Sequence, residues 1–437
     1  MNNKDLVNSL IGKLYNIFRS ITGIGVRETL LHIEKELPNM DIHFVKSGTK
    51  VFDWTVPKEW DIYDAYIIRV SDGKKLIDFY NNNLHIVHYS TSVNKVMTKD
   101  QLSTHIHTLP DQPNAIPYVT SYYNKTWGFC MKHTTWNNIF KDNEEYKVVI
   151  NSEFVNGGLN YGEIILPGRT KKTILISTYI CHPSMANDNL SGVIMTTLLA
   201  KYLSNLNNYY TYRIVFLPET IGSIAYIATQ LHPKNIEIIG GYVVSCVGFG
   251  KKFNYISTRQ EKSLTNKITE YVLSNYKHNI LDFTECGSDE RQYNFPNVGY
   301  NIGSITRAKH SEYPEYHTSL DNLSLMSVDT ILGTLSVYKK CINIFEISIK
   351  YICPITCEPH MSKYNLYPTI SVSGKDAALK RYGTKLMMNI LRYCDGKMDL
   401  FDISKKLHTN IKIIHNIAQV LFKNNLLEYY IPILVTT

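Results

Sequence analysis

Apolar residues Leu6, Leu10, Ile11, Leu14, Ile17 and Phe18 recur at the spacing of one helix face, so residues 5–18 are expected to open the chain as an amphipathic helix. Gly23 and Gly25 interrupt the pattern, and a second helix is expected from about Arg27 to Glu36, ending before Pro38. Residues 50–145 follow a different rhythm. Short alternating or aromatic runs (Val51–Trp54, Ala65–Val70, Leu84–Tyr89) are separated by polar clusters such as Ser71-Asp72-Gly73 and Asn81-Asn82-Asn83. This pattern predicts strands and turns with little helix, hence a small β-rich module.

From residue 146 the pattern becomes α/β. Lys147–Phe154, Tyr161–Leu166, Thr173–Tyr179, Tyr212–Leu217 and Ile239–Ser245 read as strands, and Leu190–Leu206, Ser223–Leu231, Leu264–Tyr276 and Val328–Ile347 as helices. Continuous apolar strands such as Ile174-Leu175-Ile176 are those of a parallel sheet covered on both faces. The β-rich block is therefore drawn as an insertion: residues 1–49 and 146–352 make the α/β domain, 50–145 the insertion, and 353–437 a linker and a last domain. Cys353-Pro354, Pro359 and Pro368 mark the linker. Beyond it, helical periodicity in Leu386–Tyr393, Leu400–Leu407 and Ile411–Lys423, with Leu426–Ile433 as a closing strand, predicts a winged-helix unit.

The 437 residues suffice for two or three domains at about 100–200 residues each, and 44% hydrophobic residues supply a core. The formal charge of +8 is far from the dense basic stripe of a nucleic-acid binder. Composition excludes disorder, collagen and coiled coil. No apolar run approaches the roughly 18 residues of a membrane span, and the N-terminus lacks a signal-peptide pattern, so a cytoplasmic location is expected. Eight scattered cysteines do not make a disulfide framework, and Cys353 and Cys357 lack the second pair that a zinc knuckle needs.

Chemistry concentrates on three polar segments. The strand Thr173–Ile180 runs into His182, a polar loop with Asp188, and a helix beginning near Asn189. Open α/β sheets hold their sites beyond the carboxyl ends of strands, where imidazole and carboxylate can converge on Zn²⁺. Asp188 as a helix cap and His182 as a hydrogen-bonded loop residue is the alternative. The next strand ends in Pro218-Glu219-Thr220-Ile221-Gly222-Ser223, where Glu219 is either a functional carboxylate or a first-turn cap. Tyr316-His317-Thr318-Ser319-Leu320-Asp321 then places a second histidine ahead of a helix. Two histidines and an aspartate as ligands, with a separate glutamate to accept a proton from water, is the inventory of a catalytic zinc site.

In order and spacing these segments resemble zinc aminopeptidases of the M28 type. The whole chain resembles a bacterial family of aminopeptidase-like proteins known by a domain of unknown function, through Asp53-Trp54-Thr55-Val56-Pro57, Thr126-Trp127-Gly128-Phe129-Cys130 and Gly287-Ser288-Asp289-Glu290-Arg291-Gln292. That resemblance implies a zinc-exopeptidase-like mixed α/β sheet flanked by helices, an inserted β-rich domain and a C-terminal winged helix. It also implies an association with polysaccharide biosynthesis and a cis peptide at Asp188–Asn189. M28 enzymes usually bind two metals. Here Ser184, Thr220 and Ser245 stand where the pattern has carboxylates, so His182, Asp188 and His317 are expected to hold one zinc, with Glu219 as general base.

Carboxypeptidases of the M14 type use a similar set together with an arginine. By that comparison Arg291 would bind a substrate carboxylate or polarise the carbonyl, unless it pairs with Asp289 or Glu290. Asp289 and Glu290 are otherwise expected to support the ligands. The expected activity is zinc-dependent hydrolysis of an amide or peptide bond in a small peptide or N-acyl amino-sugar-like substrate. Rival readings are a non-catalytic binding or scaffold protein on the same fold, and a winged-helix DNA regulator. The last is disfavoured because the helix at 411–419 has Lys412 as its only cation. The insertion is expected either to roof the cleft or to give a homo-oligomer its interface. Trp54, Trp60 and Trp127 are expected in core packing before sugar stacking.

Overall fold

The computed structural model describes residues 2–366 and 377–430, and the chain divides into two compact units, Met1–Tyr338 and Lys339–Thr437. In the first, eight strands form one mixed sheet in the order Asp41–Lys46, Gly158–Leu166, Tyr210–Leu217, Thr170–Tyr179, Ile238–Val243, Ile302–Thr306, Phe253–Ile256 and His278–Leu281. The four central strands run parallel. Antiparallel pairing begins on one flank at Gly158–Leu166 and on the other at Phe253–Ile256. Thr170–Tyr179 from Thr173 onward and Tyr210–Leu217 along almost its whole length are buried, as strands covered on both faces must be. Helix Gly192–Ser204 packs on the central strands and on the N-terminal helix Asn3–Leu14. Its run Val193–Ala200 is buried all round, which explains why it reads as hydrophobic rather than amphipathic.

The insertion is built on a four-stranded antiparallel sheet ordered Lys75–Asp78, Glu59–Arg69, Glu145–Val155, Val93–Thr98. This corrects the expectation that Lys147–Phe154 joins the α/β sheet. Tyr146, Val148 and Ile150 point to a one-sided core with Ala65, Ile67, Phe129 and Phe140, and the intervening residues are more exposed. That alternation belongs to an antiparallel sheet wet on one face. Trp60 is buried, and its indole N–H donates to Ser90 O at 2.9 Å. It joins Ile21, Tyr89, Leu175 and Tyr179 in one core, so insertion and sheet share hydrocarbon. Trp127 stacks on His105 at 3.6 Å, and Trp54 lies half-exposed with its ring edge on Tyr123.

In the second unit, helices Ala377–Tyr393, Leu400–Lys406 and Ile411–Lys423 accompany a three-stranded antiparallel sheet ordered Asp395–Asp399, Lys350–Ile352, Glu428–Tyr429. Buried Ile390, Leu400, Phe401, Ile414, Ala418 and Leu421 form its interior. This is a winged-helix arrangement, and it recruits Lys350–Ile352 as its central strand. Pro368 of the expected linker and the end of the expected closing strand, 431–433, lie outside the described residues. Among the described residues no helix is long and apolar enough to cross a membrane, and all eight cysteines are free thiols.

Candidate metal centre

Two adjacent parallel strands finish in step, with Tyr179 paired to Leu217, and the chain continues to His182 from one and to Glu219 from the other. The Glu219 N–H lies 3.3 Å from the Cys181 sulfur, so the two turns are stitched where they leave the sheet. The loop after His182 is a wide turn, Ala186–Ser191, buried throughout. Its sequence is explained by its bonds. Asn189 donates to Thr178 Oγ1 and Tyr179 O, Asn187 Oδ1 accepts from Gly248 N, and Ser191 Oγ donates to Asn187 O. A Cβ on Gly192 would lie 2.2 Å from Asn189 Oδ1 and 2.6 Å from Val244 O, so only glycine lets the helix start there. The Asp188–Asn189 peptide is cis.

Asp321 clamps this loop from outside. Its carboxylate accepts from the backbone N–H of Asn187 at 2.7 Å and of Asp188 at 2.9 Å, and from the Tyr313 hydroxyl at 2.9 Å. Four residues earlier, His317 is set by the insertion. Tyr118 N donates to His317 O at 2.8 Å, and Ile116 exchanges bonds with Ser319 on either side. The Tyr118 ring lies 5.3 Å from His182 and 5.2 Å from His317, while Tyr316 stacks on His317 at 3.9 Å. Buried Arg19 donates through Nε and Nη2 to His182 O at 3.0 and 2.9 Å, and through Nη1 to Leu14 O at the end of the first helix. A cation suits that helix end.

These constraints bring His182, Asp188 and His317 together, with one donor atom from each within 4.8 Å of the others. His317 Nε2 and Asp188 Oδ2 stand 3.0 Å apart, yet both are buried and neither makes a hydrogen bond. His182 Nε2 is 4.0 Å from the same carboxylate oxygen and 3.9 Å from Glu219 Oε2. Lone pairs left unsatisfied around one point are what a cation requires, and two imidazoles with a carboxylate are a zinc donor set. Burial pushes the His182 imidazole down to about 4, so it is neutral at physiological pH as a ligand must be. Desolvation would raise the Asp188 carboxyl, but His182, His317 and a hydrogen bond from the Tyr179 hydroxyl outweigh it and hold it ionised. The His182 and Asp188 side chains are 4% and 1% exposed against 34% for His317 and 24% for Glu219, so the last two form the open side.

Glu219 is steered by its neighbours. Ser288 Oγ donates to its Oε1 at 2.7 Å, and the backbone at Thr220 (φ 63°) is held by Asp289 Oδ1, which also accepts from Ser223 Oγ. Desolvation and the Asp289 charge raise the Glu219 carboxyl above its ordinary range, and desolvation raises Asp289 as well. Asp289 and Glu290, expected to support the metal ligands, act elsewhere. Asp289 holds the turn bearing Glu219, and Glu290 accepts from Gly287 N and Ser288 N, fixing the loop that carries Ser288. Arg291 is exposed and forms no ion pair among the described residues. Its Nε donates to Ser288 O, and Nη2 reaches Thr220 Oγ1 at 3.4 Å. Ser184 bonds to Asn83 of the insertion and to Tyr15 O.

Sequence reasoning gave no role to Asp321, Tyr179, Tyr118, Arg19 or Ser288. The spacing His317-Thr-Ser-Leu-Asp321 was a usable signal for the first. Arg19, in Phe18-Arg19-Ser20, carries none, because nothing local distinguishes a buried arginine from a surface one.

Residues 8–348 match the family model described as domain of unknown function DUF4910, and residues 349–429 match a winged helix-turn-helix model. A Clostridium acetobutylicum protein, named as a candidate polysaccharide-biosynthesis protein with an aminopeptidase-like domain, is 42% identical over 426 residues, covering 97% of this chain and 96% of its own. A crystal structure from the same organism, described as a candidate peptidase, is 40% identical with a TM-score of 0.84, over 98% of this chain and 96% of its own. The zinc aminopeptidase BSAP of Bacillus subtilis shares the fold at 10% identity and a TM-score of 0.57, covering 78% of this chain and 94% of its own. An M28 peptidase precursor of Shewanella amazonensis does so at 13% and 0.54, over 82% and 94%. With the family model spanning most of its length, the chain belongs to the DUF4910 family, an M28 aminopeptidase-like fold followed here by a winged helix.

Proposed function

We propose that this protein is a mononuclear zinc hydrolase of amide or peptide bonds, with His182, Asp188 and His317 as ligands and Glu219 as general base. The observation that carries the reading is the pair of unsatisfied atoms, Asp188 Oδ2 and His317 Nε2, facing a third donor from His182. Zinc held there would supply Lewis acidity to a water and to the scissile carbonyl. Glu219 Oε2, on the open side of the site, accepts the proton that water loses on attacking the carbonyl carbon. It then delivers that proton to the amide nitrogen as the C–N bond breaks. Arg291, bonded to no carboxylate, is free to bind a substrate carboxylate at the mouth. Thr220 and Ser245 at the remaining M28 ligand positions favour one ion. The substrate class is a small peptide or N-acyl amino sugar, and the polysaccharide-biosynthesis name of the Clostridium relative favours the second.

The test is Glu219→Gln against a panel of chromogenic peptide and N-acyl amino-sugar amides. The variant should retain zinc by atomic absorption and lose at least a hundredfold in kcat. His182→Ala and His317→Ala should each lower zinc content. A Gln variant as fast as the wild type would remove Glu219 from the mechanism. A zinc-loaded wild type inert towards the whole panel would favour the non-catalytic binding reading instead.

A further inference from the structure

A second concave site is built from residues that the hydrolase reading does not use. A cavity of about 350 Å³ is lined by five cationic residues, Lys251, Lys252, Lys277, Arg307 and Lys309, against one acidic residue, Glu312. Lys309 is already neutralised by Glu285 and Glu312. The other four cations form no ion pair among the described residues. Like charges gathered on a concave surface repel one another, and low-dielectric walls concentrate their field.

Arg307 is the fixed point. Its Nε donates to Gly250 O at 3.1 Å, and the guanidinium lies over the Phe253 ring at 4.3 Å. Both contacts orient the group without neutralising it, and its two terminal nitrogens have no acceptor among the described residues. A guanidinium so held is preorganised for two-point contact with an oxyanion. Gly250 (φ 118°) explains how the lysines reach it. A Cβ there would lie 2.5 Å from Arg307 O, so only glycine lets the loop press onto that strand end and carry Lys251 and Lys252 alongside. Lys277 stands just ahead of the neighbouring strand His278–Leu281, and its O accepts from Phe253 N.

We infer that this cavity binds a phosphate or diphosphate, free or carried by a small organic molecule, through Arg307, Lys251, Lys252 and Lys277. The volume is at the lower end of small-ligand pockets, roughly 300–1,000 Å³, and the clustered cationic residues suit an anionic headgroup. A nucleic-acid backbone would need a longer basic track than one cavity offers. Tyr313 forms part of the wall, and its hydroxyl bonds to Asp321, the clamp of the metal loop. The site therefore adjoins the candidate centre while sharing none of its ligands, and the inference does not rest on the hydrolase reading.

Isothermal titration of the full chain with inorganic phosphate and with UDP-glucose, at 50 and 150 mM salt, tests it, with glucose as the uncharged control. Saturable one-to-one binding of at least one anion is expected, weaker at the higher salt. Tighter binding of UDP-glucose identifies an organic phosphate as the ligand, and binding of inorganic phosphate alone identifies the free anion. The Lys251→Ala/Lys252→Ala variant removes side chains that hold nothing in the fold and should weaken binding at least tenfold with an unchanged melting curve. Arg307→Lys, which keeps the charge and loses the fork, should also weaken it. Lys234→Ala, far along the chain on an exposed turn, should not. Failure of both anions to saturate, or wild-type affinity in the double-lysine variant, would overturn the assignment.

Discussion

Asp321→Asn probes the architecture of the centre without touching a donor atom. The carboxylate satisfies two buried backbone N–H groups and one buried hydroxyl. An asparagine keeps one acceptor oxygen and presents an NH₂ to the other N–H, while the Tyr313 hydroxyl can turn to accept. One buried N–H is thus orphaned, at about 1–3 kcal/mol. Burial, with a smaller push from the Asp188 charge, raises the Asp321 carboxyl to about 6, and relief of both in the asparagine offsets part of that loss. Asp321→Ala would orphan all three groups, about 3–9 kcal/mol, a large share of the usual 5–15 kcal/mol of total stability, so the asparagine is the usable variant. Since the affected N–H groups belong to Asn187 and Asp188, the loop carrying a ligand shifts. Zinc affinity should fall about 10–100-fold, the range seen when support behind a ligand is removed. Competition against a chromophoric chelator measures the affinity, and urea denaturation measures the stability loss. Wild-type zinc affinity together with a wild-type urea midpoint would show that the loop holds itself.

Three further outcomes are expected. Burial and the neighbouring His182 push His88 down from about 6.5 to about 3 among the rings of Phe18, Trp60 and Tyr118, with Ser20 Oγ as its polar contact. The unfolded chain takes up the proton first, so this stabilisation is complete above about pH 6.5 and is lost as pH falls towards 3. Urea unfolding between pH 6 and 4 should show the wild type losing about 1.4 kcal/mol per pH unit more than His88→Leu, and parallel profiles would contradict the sign. Tyr118→Ala removes a ring that touches both histidines and should weaken zinc binding about tenfold, whereas Tyr118→Phe should retain the metal; equal zinc affinity in both would show that the ring supports neither imidazole. In low-salt gel shifts the full chain should not retard duplex DNA, because the helix Ile411–Lys423 offers only Lys412 and Lys423 as cations.

The parts legible in the sequence were those where local pattern and chemistry coincide. His182 and Glu219 follow apolar strands closely, with Asp188 on the loop that His182 opens, and strand ends in a parallel sheet are where sites form. The short strands Phe253–Ile256 and His278–Leu281 were not legible, because four residues carry too little periodicity to separate strand from loop. Glu145–Val155 was recognised as a strand and given to the wrong sheet, since alternation reveals a strand's wet face and not its partner. Asp289 and Glu290 were found as a motif, but their direction of action depends on which backbone N–H groups folding brings near. Tyr118 follows a proline in what reads as a loop, and its use depends on a backbone bridge across roughly two hundred residues of chain.

That bridge, Pro117 to Thr318, bears on how the protein comes into being. The segment that seats the second imidazole is synthesised last in the first unit, and its template emerges early, inside a module that looks removable. Excising that module to obtain a minimal peptidase would discard the mould against which the late loop is cast. Inheritance of the two parts is therefore joint, and a relative without the inserted sheet must hold its histidine by some other means.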